Sequence, residues 1–357
     1  MLTRVNHRPS EEYFQEAEQQ LRSMSIEQAV RLYAMAEQAG YDPDACAGGR
    51  WICHMLLGQF DRAWQESDAI AARGSPDRHR YWDGQPFEGR KVLIRCLHGL
   101  GDTIQFIRYA PLIREQARTL AIEAQPALKS LIEASQLADS VITWDEPEPA
   151  WDQQVEIVEL PRIFRTNLET IPKRVPYLEV PSSPVAASHH GVRPMRVGVV
   201  WASSSYNPAR SVPLEDMARL FTVPCTSFFS LQAGEERAQL KSMSRGIADL
   251  QTDPACVGAT AGKLKTLDLV ITVDTMMAHL AGAMGRPVWT LLPFQCDWRW
   301  MMAREDSPWY PTMRLFRQPR AGDWQSVIER VQCALRALAA ASYSEVPRSS
   351  AAPGSVK

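Results

Sequence analysis

Little in this chain marks a special environment. It lacks any run of roughly 18 uninterrupted apolar residues, the length a membrane-spanning helix needs, and positions 1–18 are polar, without the apolar core of a secretory leader. Its seven cysteines (Cys46, Cys53, Cys96, Cys225, Cys256, Cys296 and Cys333) are scattered, odd in number and never spaced C-x-x-C, so neither a disulfide scaffold nor a zinc site is expected. Excess charge is also missing. With 39 Lys and Arg against 41 Asp and Glu, the formal net charge is −2, which argues against a nucleic-acid-coating role and against a disordered acidic tail. The expectation is a cytoplasmic globular protein without a membrane span or a nucleic-acid partner. At 357 residues, with 45% hydrophobic and 22% charged residues, the chain has the size and composition of two substantial domains.

Residues 10–74 have helical apolar spacing and almost no strand signal. Within them Leu57-Gly58-Gln59-Phe60-Asp61-Arg62-Ala63-Trp64, followed by Ala69 and Ala72, looks like the second half of a tetratricopeptide repeat. A partial repeat cannot bury its own face, so residues 1–78 are expected to form an all-α cap packed on the domain C-terminal to it. A break at Gly74-Ser75-Pro76-Asp77 precedes a β-branched run at 91–97, a helix at 103–110, and strand-like runs at 119–123, 140–143 and 155–160. This is an alternating β/α unit, placed at residues 86–185. Residues 181–194 have linker composition. The pattern then restarts, with strands at 195–201, 226–232, 267–273 and 287–292, and helices at 214–221, 235–244, 276–283 and 324–341. A second α/β unit is therefore expected over 193–341, followed by a disordered tail at 342–357.

Four loops follow strand ends. The first, Gly99-Leu100-Gly101-Asp102, puts glycines where the backbone turns sharply or admits a ligand, and a carboxylate at the start of a helix. The plainer reading is that Asp102 or Thr103 caps that helix. In the second, Val273-Asp274-Thr275-Met276, a strand end runs into a helix whose free N–H groups and hydroxyl suit an anion, with His279 one turn on. The alternative there is an Asp cap and a histidine packed between layers. The third, Ala202 to Arg210, is small and polar with one cation for a phosphate, or is simply a solvated loop. The fourth, Pro293 to Trp300, belongs to a stretch in which four of the eleven tryptophans fall between Trp289 and Trp309. Aromatic planes suit sugar rings, and equally a hydrophobic contact between domains.

Together these stretches resemble a known group. Arg95-Cys96-Leu97-His98-Gly99-Leu100-Gly101-Asp102 and on to Pro111, residues 168–172 with 175–178, 197–202, 230–232, 267–282, and 291–320 with Gly322-Asp323-Trp324 resemble the glycosyltransferase-B (GT-B) superfamily. The likeness is to its heptosyltransferase-like, family 9-like branch with an N-terminal tetratricopeptide-like region, distantly similar to O-linked N-acetylglucosamine transferases. It implies an α/β fold of two facing Rossmann-like domains behind the helical cap. It also implies a nucleotide-sugar donor as substrate, a protein or glycan acceptor, and an inverting transfer without metal or other cofactor. Carried over, Asp102 becomes the general base, and His98, Gly99, Gly101, Gln105, Trp298 and Arg299 fall on the acceptor side. Trp201, Ser203, Arg210, Gln232, Asp274, Thr275, Met276, His279 and Asp297 fall on the donor side.

Departures from that pattern cluster on the donor side. The loop after Trp201 is short, Ala233 follows Gln232 where a lysine is common, and residues 250–266 lack the usual acidic, Phe-containing stretch. The leading expectation is a glycosyltransferase. The alternatives are a catalytically weak nucleotide-sugar or partner-binding module with the cap as scaffold and, below it, a nucleotide-sugar epimerase.

Overall fold

The computed structural model describes residues 9–74, 81–180, 193–204, 207–242, 246–250 and 256–344. The chain opens with helices α1 (Pro9–Arg22), α2 (Ile26–Gln38), α3 (Pro43–Leu56) and α4 (Phe60–Ala72). Helix α3 starts where the Asp42 carboxylate accepts the N–H groups of Asp44 (2.8 Å) and Ala45 (3.0 Å), with Pro43 at the first helical position. Helices α1 and α3 begin at residues 9 and 43, and α2 and α4 at 26 and 60, so each pair is offset by the same 34 residues. The region is thus two successive helical hairpins, where residues 57–72 alone suggest one partial repeat. A Cβ on Gly49 would lie 2.3 Å from the Tyr33 ring, so α2 and α3 approach as they do only because that position has no side chain.

The first sheet contains β1 (Lys91–Arg95), β2 (Thr119–Ala124), β3 (Ser140–Thr143) and β4 (Gln153–Glu156), all parallel, in the order β3-β2-β1-β4. Between and after them lie α5 (Leu100–Phe106), the short α6 (Ala110–Arg114), α7 (Pro126–Ala134) and α8 (Leu160–Ile163). The second sheet is also parallel, in the order β10-β9-β8-β5-β6-β7. Its strands are β5 (Met195–Val200), β6 (Thr226–Ser230), β7 (Ile247–Asp249), β8 (Leu269–Val273), β9 (Val288–Leu292) and β10 (Met313–Arg317). Its helices are α9 (Leu214–Ala218), α10 (Val257–Leu264), α11 (Met276–Ala283) and α12 (Trp324–Ser344). Strands β8 and β9 are buried at every position, as parallel strands covered on both faces must be.

One hydrophobic cluster runs from Phe60 and Trp64 of α4 through Val92, Ile94 and Ile104 of the first α/β unit to Trp300, Trp309 and Tyr310 of the second. The cap is therefore continuous with the core. Trp64 Nε1 donates to the Thr166 carbonyl at 2.8 Å, and the Met302 N–H donates to the Leu56 carbonyl at 2.9 Å. A second cluster lies between the other face of the second sheet and α12, and a third fills the space among α1, α2 and α3. Among the described residues no helix is long and apolar enough to cross a membrane.

Several boundaries differ from the pattern in the sequence. Helix α5 starts at Leu100, so Asp102 lies within its first turn. The run 155–160 is not one strand: the Glu156 carboxylate accepts the Val158 N–H at 2.6 Å and turns the chain into a 3₁₀ turn at Ile157–Glu159. Residues 235–244, assigned by pattern to an α-helix, form a 3₁₀ helix at Glu235–Ser242. Helix α12 continues to Ser344 instead of stopping at 341, and residues 345–357 of the expected tail lie outside the described residues. So does 181–192 of the expected linker.

Candidate active site

Each sheet reverses its strand order once. From β1 the chain moves outward through β2 and β3 and returns to pair β4 on the other side; from β5 it goes to β6 and β7, then returns to β8, β9 and β10. Loops leaving the carboxyl ends of the strands beside such a reversal diverge and open a crevice. Here both crevices open on one cleft of about 1270 Å³. The first sheet contributes His98, Gly99, Leu100, Gly101 and Asp102. The second contributes Ser203, Arg210, Gln232, Glu235, Glu236, Asp274, Thr275, Met276, His279, Asp297 and Arg299.

A chain of alternating charges crosses the cleft. Asp274 Oδ2 lies 3.5 Å from Arg210 Nε, and Arg210 Nη2 lies 4.0 Å from Asp297 Oδ2. Asp297 Oδ1 accepts from Arg299 Nη1 at 3.0 Å, and Arg299 Nη2 donates to Asp102 Oδ1. Asp102 Oδ2 accepts the Gly99 N–H at 3.0 Å. Asp102 thus caps α5 with one oxygen and presents the other to the second unit, so the plain and the functional readings of this residue coexist. Arg299 is held rigidly, donating from Nε to the Gln105 carbonyl oxygen Oε1 at 2.7 Å and lying 4.8 Å from the Trp298 ring centroid.

Burial sets the protonation chemistry. Asp274 is 4% exposed, and burial pushes its carboxyl up to about 6 against the pull of Arg210. Burial also opposes ionisation of Asp297, but Arg299 and its backbone N–H outweigh that and hold the carboxyl below the usual range. His279 is pushed down to about 3, first by burial and then by Arg299, so it is neutral. Its Nδ1 lies 2.9 Å from the Tyr310 hydroxyl, and its ring stacks on Trp300 with centroids 5.2 Å apart. A Cβ on Gly101 would lie 3.0 Å from His279 Cδ2, so the glycine permits α5 and α11 to meet.

Stability should respond to these two groups in opposite senses. The His279 value is depressed below the ordinary 6.5, so its contribution is present above about 6.5 and is lost as pH falls toward 3. The Asp274 value is raised, so its contribution is full below about 3.9 and is lost as pH rises through 6. Melting His279→Gln beside the parent from pH 7 to pH 4 isolates the first effect. The parent should lose stability relative to the variant by up to about 1.4 kcal/mol per unit of pH below 6.5. Parallel curves would contradict a neutral buried imidazole.

The residues expected on the donor side divide by what they can offer. Thr275 caps α11, its Oγ1 accepting the Met277 N–H at 3.2 Å, so hydroxyl and helix terminus face the cleft together. Gln232 lines the cleft but is fully engaged: it accepts from the N–H groups of Trp201 (3.0 Å) and Ala202 (2.9 Å), and donates to the carbonyls of Ala202 and Ala233. It pins the loop after β5. Ser203 Oγ donates to the Asn207 carbonyl at 2.9 Å.

Three expected site residues are not brought to the cleft. Trp201 is buried, with Nε1 bonded to Gln239 at 3.0 Å; Gln105 sits behind Arg299. Trp298 packs edge-on against Trp51 of α3, centroids 5.4 Å apart, and stacks on Phe106. With Trp300 and Trp309 fully buried, the tryptophan-rich segment is a contact among cap and sheets, not a sugar platform. Sequence reasoning missed Glu235 and Glu236 at the cleft and Glu156 behind it. A carboxylate inside an apolar run, as Glu156 is between Val155 and Ile157, is the signal that could have marked the last.

No protein-family model matches the chain. It is 25% identical over 330 residues to Protein FlbA of Caulobacter vibrioides, an alignment covering 80% of this chain and 54% of that protein. The chain thus spans about half the length of this curated relative. Among solved structures, the glycosyl transferase family 9 from Veillonella parvula DSM 2008 superposes with a TM-score of 0.53 at 13% identity, covering 72% of this chain and 99% of that one. The E. coli ADP-heptose lps heptosyltransferase II gives 0.48 at 12% identity, covering 70% and 99%. Over 72% of this chain the fold is similar to that of the Veillonella glycosyl transferase.

Proposed function

We propose that the protein is a glycosyltransferase that moves a sugar from a nucleotide-sugar donor to a protein or glycan acceptor with inversion at the anomeric carbon. The observation that carries this reading is the meeting of the two strand-order reversals on one cleft, with Asp102 on one wall and Arg210 and the amino terminus of α11 on the other. Asp102 takes the proton of the acceptor nucleophile. The nucleophile's electron pair forms the new bond to the anomeric carbon, and the bond to the donor phosphate breaks on the opposite face. The charge left on the diphosphate is met by the Thr275 hydroxyl, the N–H groups that open α11 and Arg210, so no metal ion or other cofactor enters the scheme.

The 34-residue offset of the two hairpins supports a tetratricopeptide-like cap. Helix α3 packs against the Trp298–Trp300 turn that carries Arg299, which supports an acceptor wall bordered by the cap. A surface of paired helices there favours a polypeptide acceptor over a small glycan.

The test is a screen of UDP-, GDP-, ADP- and dTDP-sugars for release of the free nucleotide, with water or a candidate polypeptide as acceptor. One donor is expected to be turned over. A donor that binds without turnover favours the second reading, a nucleotide-sugar-binding module, which draws support from Arg210 and Arg299 both already facing carboxylates.

A further inference from the structure

The strand-order reversal of the first sheet holds ionisable groups that the transfer scheme does not use. Glu156 ends β4 on one side of it and His98 follows β1 on the other. Glu156 has no exposed surface. Its Oε1 accepts the Leu97 N–H at 3.3 Å and its Oε2 the Val158 N–H at 2.6 Å, and Oε2 lies 3.8 Å from His98 Nε2. His98 keeps a third of its side chain exposed and lines the cleft. The Gly99 N–H, which donates to Asp102 Oδ2 at 3.0 Å, belongs to the peptide that joins His98 to Gly99, so imidazole and carboxylate flank one peptide.

We propose that His98, oriented by Glu156, is the second acid–base group of the acceptor wall and relays the acceptor proton from Asp102 to solvent. This rests on the transferase reading. Glu156 Oε2, at ion-pair distance from Nε2, favours a proton on that nitrogen, and the acceptor proton is received at Nδ1 through water. Asp102 returns to the carboxylate, His98 becomes an imidazolium whose charge favours the ionised form of Glu156, and the Nδ1 proton then leaves to water. No other bond changes. Glu156 acts here as a positioning residue.

Other ionisable groups face the pair. Burial pushes the Glu156 carboxyl up to about 7, against the two N–H donors, and the nearby charges of Glu159 on the following turn and Asp102 on α5 push the same way. Arg299 faces Asp102 from the second unit. Cys96, at the end of β1, has its thiol raised by burial and carries no charge at working pH.

The test uses the full chain and two readouts. In the first, the ring resonances of His98, assigned by their loss in His98→Gln, are followed by NMR from pH 5 to pH 9. The midpoint should fall in Glu156→Gln, because an opposing charge is removed; an unmoved midpoint overturns the pairing. In the second, release of nucleotide from a turned-over donor is measured against pH with water as acceptor. The acid limb should move to lower pH in Glu156→Gln and vanish in His98→Gln with a rate loss of about 10²-fold. Asp102→Asn should lower the plateau without moving the limb. A limb that stays in place in Glu156→Gln overturns the relay and leaves the transferase reading standing. Absence of turnover with every donor removes that reading and the relay with it.

Discussion

Asp102→Asn should reduce turnover by about 10² to 10⁴-fold while donor affinity stays nearly unchanged, because in the proposed transfer the substitution removes the general base and no donor contact. The asparagine oxygen can still accept the Gly99 N–H, so the helix cap survives. What is lost is the ion pair to Arg299. Breaking a buried pair costs roughly 3–5 kcal/mol when the remaining charge is stranded, but Arg299 keeps Asp297 at 3.0 Å, so the loss should fall below that range. Melting the variant in parallel separates the two effects. A variant that melts a little lower and turns over slowly supports the base; one that turns over at the parental rate makes Asp102 a cap and a clasp only.

Removal of residues 9–74 should leave a protein that aggregates or fails to fold. The cap inserts Phe60 and Trp64 into the same cluster as Trp309 and Tyr109, and Phe60 meets the Trp309 ring with centroids 6.1 Å apart. Asp68 pairs with both Arg162 (2.8 Å) and Arg165 (2.8 Å). Deleting a single buried Phe or Trp side chain costs about 3–5 kcal/mol, against a total stability of about 5–15 kcal/mol for a domain. Losing two such anchors, about 6–10 kcal/mol, is comparable with that whole stability, and their uncovered partners would promote association. Trp64→Ala is the milder form of the same test and should lower the melting midpoint markedly. A truncated chain that stays monomeric and melts like the parent would make the cap an independent module.

How much of this is legible in the sequence differs by feature. The central strands and the two strand–helix junctions at Asp102 and Asp274 stand out because β-branched runs end at glycine or at an Asp-Thr pair, and such punctuation is local. Strands β7 and β10 do not. Ile247–Asp249 is three residues with two exposed, and Met313–Arg317 is broken by Arg314 and ends in Arg317, so neither looks like a buried parallel strand. The tryptophans between 289 and 309 show the opposite limit: a sugar platform and an interdomain contact demand the same residues, and only the positions of Trp51 and Phe106 decide between them. The pairing of Arg299 with Asp102, 197 residues apart, has no local signature at all.

If the cleft binds a nucleotide-sugar through the wall that holds Arg210 and Thr275, thermal melting of the full chain with UDP-, GDP-, ADP- and dTDP-sugars and the matching nucleoside diphosphates will register it. A ligand that binds only the native state at 100 times its Kd adds about 2.7 kcal/mol, roughly 4 °C for a chain of 357 residues. One base should give that shift, and Arg210→Ala and Thr275→Val should each reduce it by removing a cation and a hydroxyl from the diphosphate position. No shift with any of the ligands, or a shift untouched by both substitutions, would contradict the claim.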